Sequence, residues 1–265
     1  MLVAGLDMGH LTTKVVVLSD DGILASVILM AAEEGEIEAR RALDNALEGT
    51  GLAIDDVEFV VATGAGRKSV PFAQKQRAPA SCLAKGIHRS YPSVRTLIDV
   101  GAETCTVVKV NEKGTLDDSA GNERCASGTG VFLEAMATRL LHMPLEEFAQ
   151  RSLQAQGVAE VSNMCAIFAE QEVISHVHRD PPTPVNDVIA GIHSSMATRV
   201  GGLAKRLGIK EDVAFTGGVA KNVGFMKTLG DNLGVKLVIP EEPQLVAAMG
   251  AAVAAGEEAA RKVRA

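Results

Sequence analysis

Leu2-Val3-Ala4-Gly5-Leu6-Asp7-Met8-Gly9-His10-Leu11-Thr12-Thr13-Lys14-Val15-Val16-Val17-Leu18 is the stretch that decides the fold. Leu2 to Asp7 reads as a strand, and Lys14 to Leu18 returns as its hairpin partner. The turn between them holds an acid at a strand end and a glycine where backbone can approach a ligand closely. Two hydroxyls and an ammonium follow just beyond. Such a loop can cradle a polyphosphate with Gly9, Thr12, Thr13 and Lys14 while Asp7 reaches a Mg²⁺ through water. Hairpins need glycine for geometry alone, so the loop by itself is a weak signal.

Working outward, Asp20-Asp21-Gly22 turns the chain into a third strand, Ile23 to Met30. Apolar residues at helical spacing run from about Glu34 to Leu47, and Val57 to Val61 reads as a further buried strand. A helix containing Leu83 to His88 follows, and then the theme restarts. Thr96 to Asp99 is a strand, Gly101 sits in its turn, and Thr104 to Val110 is the next strand before Asn111-Glu112-Lys113-Gly114. The remainder reads as mostly helical, with late strands at Val213 to Phe215 and Val235 to Ile239. A strand-turn-strand ending in an acid and a glycine, used twice, predicts two related α/β halves facing a cleft. Asp99-Val100-Gly101 repeats the geometry of Asp7-Met8-Gly9. Thr216-Gly217-Gly218-Val219-Ala220-Lys221-Asn222 lies between a strand and a helix, where a glycine pair admits a base or ribose beside the backbone. The three pieces in this order point to a nucleotide far more strongly than any one of them.

Composition narrows the classes. Lys and Arg total 26 against 33 Asp and Glu, a net charge of −7, which argues against a nucleic-acid or anionic-membrane surface. The longest apolar run, Leu245 to Ala255, is too short to cross a bilayer. Asp7 without a basic flank does not read as a secretory signal. Four cysteines with no disulfide-dense pattern fit a reducing cytoplasm.

Two of those cysteines, Cys125 and Cys165, each precede a helical stretch, Val131 to Ala137 and Ala166 to Glu170. Helix N-termini carry unpaired N–H groups and partial positive charge, so a thiolate placed there is stabilised. Two thiolates are too few for a four-iron cluster, and a two-fold dimer would supply the missing pair. The competing reading is that both are ordinary buried cysteines. Cys82 and Cys105 read as core residues. His176 and His178 with Asp180 carry metal-ligand chemistry, yet two-residue spacing on a helix aims the imidazoles at different faces, which favours surface histidines. Glu170 and Glu172 read as complements to the dipole of the helix after Cys165.

Taken together, Asp7-x-Gly-x-x-Thr-Thr-Lys, Asp99-x-Gly and Gly217-Gly218-Val219 resemble the phosphate and adenosine loops of the actin, sugar-kinase and heat-shock-protein-70 superfamily. Within it, four stretches closely resemble the activators of 2-hydroxyacyl-CoA dehydratases and the ATPase subunits of benzoyl-CoA reductase. They are Arg124-Cys125-Ala126-Ser127-Gly128-Thr129-Gly130-Val131-Phe132-Leu133, Cys165 to His176, Ala190-Gly191-Ile192-His193 and Gly217 to Asn222. The likeness runs nearly end to end and includes Ala62 to Arg67 and Pro243 to Ala252.

The resemblance implies an actin-like ATPase of duplicated β-β-β-α-β-α halves, residues 1–93 and 94–265, with the last helix packing back on the first half. It implies a homodimer with one bridging 4Fe-4S cluster on Cys125 and Cys165 of each subunit, and ATP or ADP with Mg²⁺ in each. A ferredoxin or flavodoxin would supply the electron, and an iron-sulfur dehydratase or reductase would receive it. Asp7 and Asp99 would hold Mg²⁺ or its waters, and Gly9, Thr12, Thr13 and Lys14 the phosphates. Gly101 would make the second phosphate turn, with Gly217, Gly218 and Lys221 on the adenosine side. Ser127 to Gly130 would aim backbone N–H groups at the cluster, with Arg124 beside it.

One loop departs from the family pattern. Many activators carry Gly-Gly-Gln-Asp after the second acid, whereas this chain has Gly101-Ala102-Glu103-Thr104. A carboxylate at Glu103 near the expected γ-phosphate would alter how water is oriented and how fast ATP is hydrolysed. Two other classes stay open on the residues alone. A small-molecule kinase of the same superfamily would leave the cysteines idle, and a chaperone-like module would need a peptide-binding domain for which 265 residues leave no room. The sequence does not separate this homodimer from a heterodimer with a paralogous subunit.

Overall fold

Val3–Met8 (β1) is buried along its whole length, apolar from Val3 to Leu6 and carrying the acid Asp7 near its end. In the computed structural model, which describes residues 1–33, 35–121 and 128–264, it pairs antiparallel with Thr12–Ser19 (β2) and parallel with Phe59–Gly64 (β4). Gly22–Met30 (β3) and Lys75–Gln76 (β5) complete a sheet of order β3-β2-β1-β4-β5. Side chains alternate between its faces. Ala4, Leu6, Val15 and Val17 meet the helix Gly35–Leu47 (α1) through Ala39, Ala42 and Leu43. Val3, Val16, Leu18, Phe59 and Val61 form the opposite core with Cys82 of the helix Pro79–Ser90 (α2).

A second five-stranded sheet contains Thr96–Val100 (β6), Cys105–Val110 (β7), Leu116–Gly121 (β8), Val213–Thr216 (β9) and Leu237–Val238 (β10), in the order β10-β9-β6-β7-β8. Its helices are Gly130–Glu134 (α3), Leu145–Ser152 (α4), Ala166–His178 (α5), Val185–Leu207 (α6) and Val223–Leu233 (α7). The core centres on Phe148, Phe215 and Phe225, packed with Ile98, Ile189 and Ile192. Asn222 caps the start of α7 by accepting the Phe225 N–H, and Gly234 ends it in the left-handed conformation at φ +68°.

Several sequence expectations need correction. β8 gives no strand signal because Leu116-Asp117-Asp118-Ser119-Ala120-Gly121 is polar and sits at a sheet edge. The two-residue β5 is too short to leave a pattern. The strand expected over Val235 to Ile239 shrinks to Leu237–Val238. The helix expected over Val131 to Ala137 starts at Gly130 and widens into a π-helix over Ala135–Leu140.

The last helix, Val246–Arg264 (α8), packs through small residues. A Cβ on Gly5 of β1 would collide with the backbone of Ala248 and Ala252, one on Gly86 of α2 with the Val246 carbonyl, and one on Gly250 with the Cys82 carbonyl. These contacts are backbone on backbone, which only glycine allows. The chain divides into two compact units. Met1–Leu97, Val108–Asp118 and Gln244–Ala265 form the first, and Ile98–Val107 with Ser119–Pro243 forms the second.

Candidate nucleotide and cluster sites

In the first unit the β1–β2 register sets Asp7 opposite Lys14, and the Lys14 ammonium lies 3.1 Å from the Asp7 carboxylate. The same ammonium donates to the Thr12 carbonyl at 3.2 Å, and the Gly9 N–H donates to that carbonyl at 3.1 Å. Both ionic side chains are largely shielded, so neither charge is screened as a surface pair would be. A Cβ on Gly9 would lie 2.7 Å from the Lys14 ammonium and 2.7 Å from the Thr12 carbonyl oxygen, so the loop closes only around a glycine. Strand alternation puts Thr12 and Lys14 on one face and buries Thr13 on the other. Asp7, Gly9, Thr12 and Lys14 are therefore brought together, while Thr13 contributes its side chain to the interior.

The end of β4 completes this corner, and the residues alone gave it no role. Gly64 has φ +88° and lies beside the Asp7 carboxylate and the Met8 carbonyl. The Gly66 N–H donates to the Met8 carbonyl at 3.0 Å, and the Arg67 guanidinium to the Gly64 carbonyl at 2.9 Å. Its signal was the Gly64-Ala65-Gly66-Arg67 spacing right after a strand.

In the second unit the Thr216 hydroxyl donates to the Asp99 carboxylate at 2.8 Å. Gly217 follows at φ +86°, pressed so closely on the Val100 carbonyl that a Cβ would overlap it. Asp99 and the Gly217 turn thus form one corner. The Gly101 N–H closes its own turn on the Thr104 carbonyl at 2.8 Å, leaving the Glu103 side chain exposed at the tip. Gly218 begins a 3₁₀ turn that ends at Lys221, and both are exposed. The N–H groups of Gly130 and Val131 donate at 2.9 Å to the carbonyls of Gly101 and Ala102. Gly130 therefore spends its amide on the Gly101 turn, correcting the expectation that it points at a cluster.

Cys125, with Arg124 and Ser127, lies outside the described residues. The other three cysteines differ sharply. Cys82 and Cys105 are buried, and burial pushes their thiols up to about 11 and about 12. Cys165 is half-buried and occupies the cap position of α5 with no side-chain capping bond. Met164, Ile167 and Phe168 beside it are 77%, 62% and 56% exposed, an apolar collar of the kind that marks an interaction surface. Among the described residues no group of three His, Cys, Asp or Glu could hold a metal. A thiol at a helix start with a free cap fits one soft ligand of an iron-sulfur centre.

The backbone before Cys165 is tied at each residue. Glu172 accepts the Ser162 N–H, the Ser195 hydroxyl donates to the Ser162 carbonyl at 2.7 Å, and Arg199 donates to the carbonyls of Asn163 and Met164 at 2.6 and 3.0 Å. Glu172 is thus a tether for this loop, where the sequence suggested only a complement to the helix dipole. His176 bridges Thr183 and the Glu160 carbonyl, each at 2.9 Å, so both ring nitrogens are engaged within the protein.

A sequence profile of the BadF/BadG/BcrA/BcrD ATPase family matches residues 4–255. The activator of lactoyl-CoA dehydratase from Anaerotignum propionicum is 39% identical over 262 residues, 99% of this chain and 100% of that protein. The solved activator of 2-hydroxyisocaproyl-CoA dehydratase from Clostridium difficile with bound ADPNP is 36% identical, with a TM-score of 0.91 over 100% of this chain and 97% of its own. A ROK family glucokinase from Streptomyces griseus, in complex with glucose and AMPPNP, shares the fold at 16% identity and a TM-score of 0.53, covering 97% of this chain and 100% of its own. The two sheets with their glycine turns are the actin-like ATPase architecture.

Proposed function

The chain belongs to the BadF/BadG/BcrA/BcrD ATPase family, and from that membership we propose that it hydrolyses ATP to activate a partner iron-sulfur enzyme by delivering low-potential electrons. The lactoyl-CoA dehydratase activator, 39% identical over 99% of this chain, favours a 2-hydroxyacyl-CoA dehydratase as that partner. The likeness to benzoyl-CoA reductase ATPase subunits extends the class to related acyl-CoA reductases. A cytoplasmic homodimer fed by a ferredoxin or flavodoxin is the setting this chemistry needs. No helix among the described residues is long and apolar enough to cross a membrane.

Gly9, Thr12 and Lys14 hold the nucleotide phosphates in this reading, Thr13 supports the loop from the interior, and Asp7 orients a hydrated Mg²⁺. Asp99, held by Thr216, is the second acid, and Gly101 carries the second phosphate turn, where the Glu103 carboxylate would alter how water is oriented. Gly217, Gly218 and Lys221 line the adenosine side. Cys165 and Cys125, with the same pair from a second subunit, hold one 4Fe-4S cluster, which supplies a one-electron couple when bound. The chain's own part is to present Cys165 at a helix start, stabilise its thiolate with the first amides of α5, and ring it with Met164, Ile167 and Phe168.

The observation that carries the reading is the contrast among the cysteines, because only Cys165 of the three described is accessible and free of the core. Iron and acid-labile sulfide per subunit, measured on anaerobically purified protein together with its mass in solution, test it. About two irons per chain in a dimer is the expected result. Cys165→Ala should lose the iron and keep ATP binding. An iron-free monomer after anaerobic reconstitution would leave a kinase of the same fold, and iron retained in Cys165→Ala would remove that residue from the ligand set.

A further inference from the structure

Helix α6 touches both sites of the second unit. Its residues advance by about 100° each, so Ser195 and Arg199, one turn apart, share a side, and His193 falls on the opposite one.

On the His193 side, Asn222 ends the Gly218–Lys221 turn. Its side-chain oxygen caps α7 through the Phe225 N–H at 2.9 Å, so its NH₂ is what faces the His193 Nε2 at 3.2 Å. The imidazole must accept there, which places its own proton on Nδ1. That nitrogen is buried with no partner, and the ring stands edge-on between Phe148 and Phe225 at 5.1 and 6.0 Å. An apolar ring would fill the same space without an unsatisfied N–H. The histidine's distinguishing contribution is therefore its hold on Asn222.

On the other side, Ser195 and Arg199 grip the carbonyls of Ser162, Asn163 and Met164, the three residues before Cys165. Gly191 lets the Ala159 carbonyl approach α6 where a Cβ would collide. Between the two grips the helix is locked into the core by Val188, Ile189, Ile192, Met196 and Val200.

We infer that His193 and Arg199 are positioning residues on a single strut, through which displacement of the Gly217–Lys221 turn by nucleotide moves the backbone carrying Cys165. The inference rests on the reading that this turn takes a nucleotide. Both grips lie on one packed helix, a contiguous element of the kind that can carry such coupling.

The test follows Cys165 in iron-free full-length protein. Its alkylation by N-ethylmaleimide is timed by peptide mass spectrometry, with and without Mg²⁺ and ADPNP, alongside the ADPNP affinity. In the natural sequence ADPNP should change the Cys165 rate by at least about fivefold, the lower end of ordinary site-to-site coupling. Arg199→Gln should bind ADPNP as before and lose that change, and Arg199→Lys should recover part of it. His193→Phe, which keeps the ring and loses the acceptor, should lose the change from the other end. Arg199→Gln responding like the natural sequence would overturn the inference, as would tight ADPNP binding with no effect on Cys165. Failure of the natural sequence to bind ADPNP at all would overturn the nucleotide reading and this inference with it. If Arg199→Gln does not fold, by circular dichroism, Ser195→Ala is measured in its place.

Discussion

His193 is the most strongly perturbed base among the described residues, because complete burial drives its pKa down to about 3 from 6.5. The unfolded chain takes up a proton below about pH 6.5, whereas the folded chain does not until about pH 3. The stability present above pH 6.5 is therefore lost as the pH falls through that window, by up to about tenfold in the folding equilibrium per pH unit. Urea midpoints at pH 7 and pH 5 should show this fall, and His193→Phe should show a shallower one. An unchanged slope in that variant would mean the proton uptake belongs to other groups. The same residue marks what sequence reading could not reach. His193 and Asn222 are 29 residues apart, and Thr216 and Asp99 are 117 apart, so neither pair has a local spacing that announces it. Asp7 and Lys14 were legible because a hairpin converts short sequence separation directly into contact.

At the scale of elements, the close approach of α2 and α8 depends on glycine more than on large apolar side chains. Gly250→Ala would drive a methyl into the Cys82 carbonyl and force the two helices apart. Overpacking of this kind costs about 1–3 kcal/mol, and thermal unfolding should show the loss while ADPNP affinity stays unchanged. Strands β1 to β4 of the first sheet were readable because apolar runs and turn residues agreed, as in Val15-Val16-Val17 after a glycine loop. β8 was not, because an edge strand of Asp117, Asp118 and Ser119 owes its pairing to its neighbour in the sheet and shows no periodicity of its own. The π-helical turn after α3 was hidden for a related reason, since Ala135 to Leu140 has ordinary helical composition and only tertiary packing widens its backbone.

Across the whole molecule the cysteines report on different events. Cys82 lies in the first unit and Cys105 in the second, each buried with its thiol pushed far above neutrality. In native iron-free protein N-ethylmaleimide should modify Cys165 and spare both of these, and each should become reactive only when its own unit opens in denaturant. Modification of Cys82 or Cys105 at the Cys165 rate under native conditions would contradict the burial described for them. The helix α8 has a separate implication, which concerns synthesis on the ribosome. One face of the first sheet is covered by Ala248, Ala251, Ala252 and Ala255, residues made long after β1, β2 and β4 have left the exit tunnel. The second unit has all its segments by Pro243, before α8 is made. The amino-terminal strands must wait, with Val3, Val16 and Val61 open to water and to other nascent chains. For this fold β1, β2 and β4 are among the last segments to be sheltered, and a stall before residue 246 would strand them without their cover.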